Sequence, residues 1–394
     1  MNPNPFLGVV LHALGGFAAG SFYIPFKRVQ KWAWESYWLV GGFFSWVIAP
    51  WVVALLVCRG NLWPILSHAP AKSLVWSYVF GVLWGIGGLT FGLTMRYLGM
   101  SLGYAIALGF CAAFGTLIPP IVKGQFIELL RHPSGLVAVA GYAICLGGIA
   151  VCGKAGSEKE RELSPEQKKA SIREFNFAKG LGVAIFAGIM SAFMAFAIDA
   201  GKPIAELAVK RNTPELWQYS PVYILTFAGG FTTNFIWCAL LNYHNRSAGD
   251  YVSGHGASLA VNYVFSALAG ITWYCQFMFF GMGKTNMGRY DFSSWTIHMA
   301  FIIAFSNIWA LIFREWKGAS RRTHNVIIAG ISVLVASTLV VGYGNYLAKL
   351  EDEAARSRER TAYVHVQRAT LDSSQPSPAG PGAGRPRRQP DRHP

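Results

Sequence analysis

The segment Tyr290-Asp291-Phe-Ser-Ser-Trp295-Thr-Ile-His298 sets a carboxylate and an imidazole seven residues apart. On a helix that is two turns along nearly one face, so Tyr290, Asp291, Trp295 and His298 are expected to form one stripe. Aromatic, acid, aromatic and imidazole together suit a hydrogen-bonded neutral polyol with an apolar face, plus a titratable pair. Asp291 reads equally well as the N-cap of the helix that follows. In Trp273-Tyr274-Cys-Gln276, an amide that can both donate and accept lies within an aromatic run. His12 stands in the middle of an apolar stretch, where an imidazole serves either a polar pathway or a hydrogen bond to a neighbouring helix. Glu35, beside Trp32 and Trp34, is either a solvated carboxylate at a helix N-terminus or one that takes up a proton when its site closes and dries. Lys27 ends the first apolar stretch and is close enough to turn inward. Arg96 falls in a short link. Asp199 and Lys202, three apart, suit a simple pair. The candidate ligand-binding residues are therefore Trp34, Tyr274, Gln276, Trp295, His298 and His12. The candidate proton carriers are Glu35, Asp291 and His298, and the candidate gate or pathway charges are Lys27 and Arg96.

Signatures of other chemistries are missing. The sequence has no HExxH, and no two histidines share a helix face at metal-ligand spacing, so no metal is expected. Gly283-Lys284-Thr285 looks like the end of a phosphate-binding loop, but Met278 stands where that loop needs a glycine. The six cysteines make no CxxC pair and lie in or beside apolar stretches, as small core residues do. No cofactor is implied, and nothing in the chain argues for an enzyme.

The elements that must position these residues are apolar. Stretches near 5–26, 37–57, 73–95, 99–122, 135–153, 179–200, 217–242, 258–281, 292–313 and 325–347 are each long enough to cross a bilayer. Helix is the only state that satisfies the backbone there. The expected fold is an all-α polytopic membrane protein of ten transmembrane helices. The charged segment 154–178 divides them five and five, and five-span halves of common origin insert in opposite orientations, as inverted repeats. The first repeat is then 1–153, the central loop 154–178 and the second repeat 179–347. Residues 348–394 form a basic Pro/Gly/Ser-rich tail expected to stay disordered. The links at 96–98 and 281–291 occupy equivalent places in the two halves. Pairs such as Gly16/Gly20 and Gly81/Gly85 read as packing seats. The net charge of +15 sits mainly in loops and tail, where topology and anionic lipid account for it without nucleic acid. The first 25 residues lack a basic n-region and read as a retained span. The central loop and the loop Arg314–Arg322 favour the inside, which puts the termini outside.

These residues sit in a longer series of strings. They include Phe26-Lys-Arg-Val-Gln-Lys-Trp-Ala-Trp-Glu35, Ser45-Trp-Val-Ile-Ala-Pro-Trp51, Trp84-Gly-Ile-Gly87 and Gly92-Leu-Thr-Met-Arg-Tyr-Leu-Gly-Met-Ser101. Glu174-Phe-Asn-Phe-Ala-Lys-Gly180, Phe196-Ala-Ile-Asp-Ala-Gly-Lys-Pro203, Trp273-Tyr-Cys-Gln-Phe277 and Tyr290-Asp-Phe-Ser-Ser-Trp295 continue it. In this order they resemble the L-rhamnose-proton symporter family of the drug/metabolite transporter superfamily, over nearly all of 5–347. The resemblance implies a multi-pass carrier of the bacterial inner membrane that takes up L-rhamnose with a proton by alternating access. It also implies cytoplasmic termini, against the charge pattern. Gly88 and Phe91 depart from the family pattern, which has Asn and Tyr there. That leaves a drug/metabolite-type carrier of another sugar or small metabolite as the alternative. Asp199 stands where the pattern has Asn.

Overall fold

The computed structural model describes residues 3–98, 100–162, 177–253, 258–313 and 316–374. Among these the chain is helix joined by turns, and no strand occurs. The helices are α1 (Pro5–Ser21), α2 (Tyr23–Phe26), α3 (Trp34–Phe43), α4 (Ala49–Val57), α5 (Leu62–His68), α6 (Ala71–Leu98), α7 (Met100–Val122) and α8 (Phe126–Arg131). They continue as α9 (Pro133–Glu162), α10 (Phe177–Ala200), α11 (Lys202–Lys210), α12 (Ser220–Asn245), α13 (Leu259–Asn286), α14 (Ser294–Ile312) and α15 (Arg321–Ser374).

Local chemistry sets several boundaries. Asn4 caps α1 by accepting the Leu7 N–H, with Pro5 in the first turn where a missing N–H costs nothing. Ser258 caps α13 through the Val261 N–H. Residues Phe44–Ile48, between α3 and α4, are π-helical. Pro50 follows at once and cannot donate to the turn before it, and the widened turn absorbs that loss. Pro119 and Pro120 lie in the last turns of α7, with Gly124 at positive φ just beyond its end.

Nine helical segments among the described residues are long and apolar enough to cross a membrane, and Ile106–Val122 within α7 is a shorter apolar stretch. Their outer faces carry side chains such as Phe6, Val10, Leu55, Ile236, Leu240 and Val264 in the open. Their inner faces bury polar ones such as Thr226, Asn234 and Ser266. That arrangement belongs in lipid, where apolar surface has no reason to hide.

The helices pair across the two halves in a reciprocal pattern. α1 lies on α13 and α14, and α10 lies on α6 and α7. α3 packs on α13 as α12 packs on α6. Counting rods from each half's start, the first rod of one half always meets the third and fourth of the other. Glycines permit this. A side chain on Gly16 or Gly20 would meet Phe301 or Phe305 of α14, and one on Gly81 would meet the Thr226 backbone. The packing expected of those glycine pairs is what they do.

Three links differ from the sequence expectation. Residues 281–286 are the last turns of α13, so the turn before α14 is short and holds the 3-10 segment Gly288–Ser293. Arg96 lies in α6, not in a link; its side chain is outside the described residues. α9 runs to Glu162 rather than ending at 153, and 163–176 of the central loop lie outside the described residues.

The chain divides into a unit Met1–Lys349 and a unit Leu350–Pro394. In the second, the described residues are helical to Ser374, where an unfolded tail was expected. Glu351 to Arg360 is rich in Glu, Ala and Arg, which favour helix, and Asp352 precedes Arg356 by four. Residues 375–394 lie outside the described residues.

Candidate transport site

Two histidines meet inside the bundle. His12 of α1 and His298 of α14 are fully buried, with ring centroids 6.1 Å apart. Phe280 of α13 lies against both, at 5.3 and 5.2 Å. Two glycines make the room. A Cβ on Gly15 would come within 3.0 Å of the His298 ring, and one on Gly283 within 2.7 Å of the His12 ring. None of the four ring nitrogens has a hydrogen-bond partner, and the buried Tyr274 hydroxyl has none either. Buried polar atoms are nearly always satisfied, so these five are candidates for bonds to something that enters.

Next to the histidines, the end of α13 carries charge. Lys284, nearly buried, donates from Nζ to Asp291 Oδ2 at 2.9 Å. Lys202 approaches the same oxygen at 3.9 Å. Beside them Lys123 binds Asp199 at 2.7 Å. Lys284, Asp291, Asp199, Phe280 and Trp295 line a cavity of about 20 Å³, closed by Gly115 and Ile198 among others. That is room for about one water molecule, not for a hexose. The Trp295 indole donates to the Cys111 carbonyl at 3.0 Å and fills the notch left by Gly115.

The opposite end of the bundle is closed by hydrogen bonds to two carboxylates. Glu35 Oε1 accepts from Asn245 Nδ2 at 2.9 Å and Ser247 Oγ at 2.7 Å. Asp250 Oδ2 accepts from the Ala33 N–H at 2.8 Å and Ser36 Oγ at 2.7 Å. Gln30 and Asn262 exchange a reciprocal pair of bonds at 3.0 and 2.9 Å. Tyr251 lies in the same turn, where burial pushes its phenol up. Asn262 and Lys284 stand at the two ends of α13, about 33 Å apart at 1.5 Å per residue. Between the two ends Trp46, Trp84 and Trp273 meet with centroids 5.5 to 6.0 Å apart.

A family model described as L-rhamnose-proton symport protein matches residues 1–347. The chain belongs to the L-rhamnose-proton symport protein family. Relatives named L-rhamnose-proton symporter include one from Yersinia pestis (strain Pestoides F), 38% identical over 347 residues, covering 87% of this chain and 99% of that one. Another, from Cronobacter sakazakii (strain ATCC BAA-894), is 38% identical over 341 residues, 86% of this chain and 97% of the relative. The family match, like the compact first unit, stops short of residues 350–394. As a member of a symporter family the chain is a multi-pass membrane transporter, not an enzyme.

Within this family member the expected stripe divides. Asp291 and Trp295 share the small cavity, and His298 faces His12, one layer further in. Tyr290 turns away: its hydroxyl meets Ser134 Oγ at 2.9 Å, and its ring packs with Phe292 in a separate cluster. The cause is the 3-10 segment, where Tyr290 has non-helical φ and ψ, so the regular helical face begins only at Ser294. Asp291 is not the N-cap of α14; Ser293 holds that position and the Asp291 carboxylate is taken by Lys284. Asp199 and Lys202 do not pair with each other but reach Lys123 and Asp291.

Tyr274 and Gln276 are buried on α13. Trp34 is exposed and stacks on Trp38 at 5.2 Å, outside the cavity. Lys27 is exposed with its ammonium 3.8 Å from the centre of the Phe313 ring. Glu35 is far from the histidines, at the end closed by Asn245 and Ser247. Gly88 has open space around it, and Phe91 packs by Ala107 and Ala184. Asn234 accepts from Trp38 Nε1 and donates to the Gly230 carbonyl, which is helix-to-helix adhesion. Lys284 was missed because its glycine-rich surroundings read as a link. A helix drawn on to Asn286 would have placed a lysine inside a span, which is itself a functional signal.

Proposed function

We propose that this chain carries L-rhamnose inward together with a proton across the bacterial inner membrane, by alternating access between two inverted five-helix repeats. The reciprocal helix pairing supports the repeats: each half contributes its first rod to the third and fourth of the other. The observation that carries the reading is the buried pair His12 and His298, with unpartnered ring nitrogens, set against Lys284 and Asp291. A neutral imidazole offers one donor and one acceptor. Two facing imidazoles match neighbouring sugar hydroxyls, with Gln276 and the Tyr274 hydroxyl adding to them. Phe280 and Trp295 supply the apolar wall that a deoxy sugar's methyl group needs.

Asp291 is the better proton carrier of the two carboxylates. It holds a nearly buried lysine of its own half, beside the Lys123–Asp199 pair that joins the halves, so protonating it frees the Lys284 charge next to that closure. Glu35 holds only uncharged donors and serves closure of the other end. Coupling then requires that sugar and proton together favour the occluded state over either open one. Two ends, each fastened by bonds between the halves, give the states to alternate between.

The test is made in liposomes containing the purified protein in weakly buffered medium. L-Rhamnose should alkalinise the medium and labelled L-rhamnose should accumulate. No alkalinisation and no uptake would refute the reading, and alkalinisation with a different sugar alone would replace the substrate. Asp291→Asn should lose pH-driven accumulation by about tenfold or more while keeping exchange of labelled for unlabelled sugar, which is about 1.4 kcal/mol of coupling. Glu35→Gln should keep accumulation; the reverse result would move the proton to Glu35.

A further inference from the structure

One groove on the bundle takes no part in this scheme. It has a volume of about 620 Å³ and lies between α7 and α9. Ile106 and Phe110 of α7 face Leu146 and Ile149 of α9, so its walls are apolar. Lys154, Ser157, Glu158 and Arg161 line one end. The apolar crossing segment of α9 ends at Lys159, so this charged end lies at the boundary between hydrocarbon and water. Glu158 Oε2 is buried there with no hydrogen-bond partner. Lys154 Nζ is 4.0 Å from the other oxygen of Glu158, too far for a hydrogen bond. The mouth therefore offers an acceptor that needs a donor, with two exposed cations beside it, Lys154 one helical turn away and Arg161.

We propose that this groove binds one phospholipid whose headgroup carries both a phosphate and a primary ammonium. An acyl chain lies along the walls of Phe110 and Ile149. The ammonium donates to Glu158 Oε2, and the phosphate takes Lys154. A quaternary ammonium has no N–H to donate, and a headgroup with no positive charge, or with an added carboxylate, is repelled by Glu158. Of the common membrane headgroups, phosphoethanolamine carries both charges and the required N–H.

The test uses the full chain, purified in detergent and offered phosphatidylethanolamine, phosphatidylcholine or phosphatidylglycerol with identical acyl chains, with native mass spectrometry as the readout. Phosphatidylethanolamine should be retained at one per chain, with a preference of about tenfold over the other two. Glu158→Gln should erase the preference between phosphatidylethanolamine and phosphatidylcholine. Ala150→Trp, at an exposed lining position, should abolish retention while sugar exchange and a monodisperse profile confirm the fold. Equal retention of all three lipids would overturn the proposal, as would retention unchanged by Ala150→Trp. So would a wild-type dimer that Ala150→Trp dissociates, which would assign the groove to a second copy of the chain.

Discussion

A histidine pair with no partner is an unusual thing to bury. His12 and His298 expose nothing to solvent, yet their nitrogens bond to nothing among the described residues. The rings are fully buried against Phe280, where a charged imidazole without a partner is costly, and that argues for neutral rings. On the proposed reading each neutral ring can donate to one sugar hydroxyl and accept from another. His298→Leu should weaken L-rhamnose exchange about tenfold through one lost hydrogen bond and its unsatisfied partner, and His298→Gln should recover most of it because an amide also donates and accepts. Equal half-saturation for all three proteins in a labelled-sugar exchange assay would remove His298 from the sugar site. At this scale the sequence was partly legible. His12, His298, Asp291 and Trp295 stand out because polar or aromatic residues in apolar stretches must have partners. Their grouping did not, since His12 meets His298 across most of the chain. Asp291 with Lys284 was hidden by a misplaced helix end, and Lys123 with Asp199 by distance in sequence.

Helices were easier to read than their ends. Twenty apolar residues in a row leave little choice of structure. The ends depend on single caps and on long-range bonds. α9 runs past its apolar stretch to Glu162, whose carboxylate accepts the Ser320 N–H at 2.6 Å and the Ser320 and Thr323 hydroxyls at 2.7 Å. Ser320 in turn caps α15 by accepting the Thr323 N–H. Led by the Ser320 N–H, these donors hold the Glu162 carboxyl below its ordinary value. A depressed carboxyl stabilises the fold above the unfolded-state value, about 4.3, and loses that contribution as pH falls through the lower folded value. Glu162→Gln should therefore lower the melting temperature at about pH 7 and make little difference at about pH 3. A gap between wild type and variant that does not change with pH would show that Glu162 contributes no charged cap.

At the scale of the whole molecule the chain divides into two units. The family match covers 1–347 and the compact unit ends at Lys349. A chain ending at Lys349 should keep pH-driven L-rhamnose uptake within about twofold, because the family match ends at residue 347. Loss of uptake by protein that still inserts would give residues 350–394 a part in transport. The charge pattern could suggest a tail but not its helix, because charged segments with good helix formers and disordered ones overlap in composition.

α13 also joins two places that otherwise have nothing in common. Its first turn carries Asn262, bonded to Gln30, and its last carries Lys284, bonded to Asp291. Near its middle, Gly270 sits so close to α3 that a Cβ would fall 2.1 Å from the Gly41 carbonyl oxygen. A stiff rod pinned near its centre behaves as a seesaw. When one tip moves away from the first half, the other moves towards it. In the proposed cycle such a rod opens one end only while closing the other, which keeps the cell's proton gradient from being short-circuited as a sugar passes.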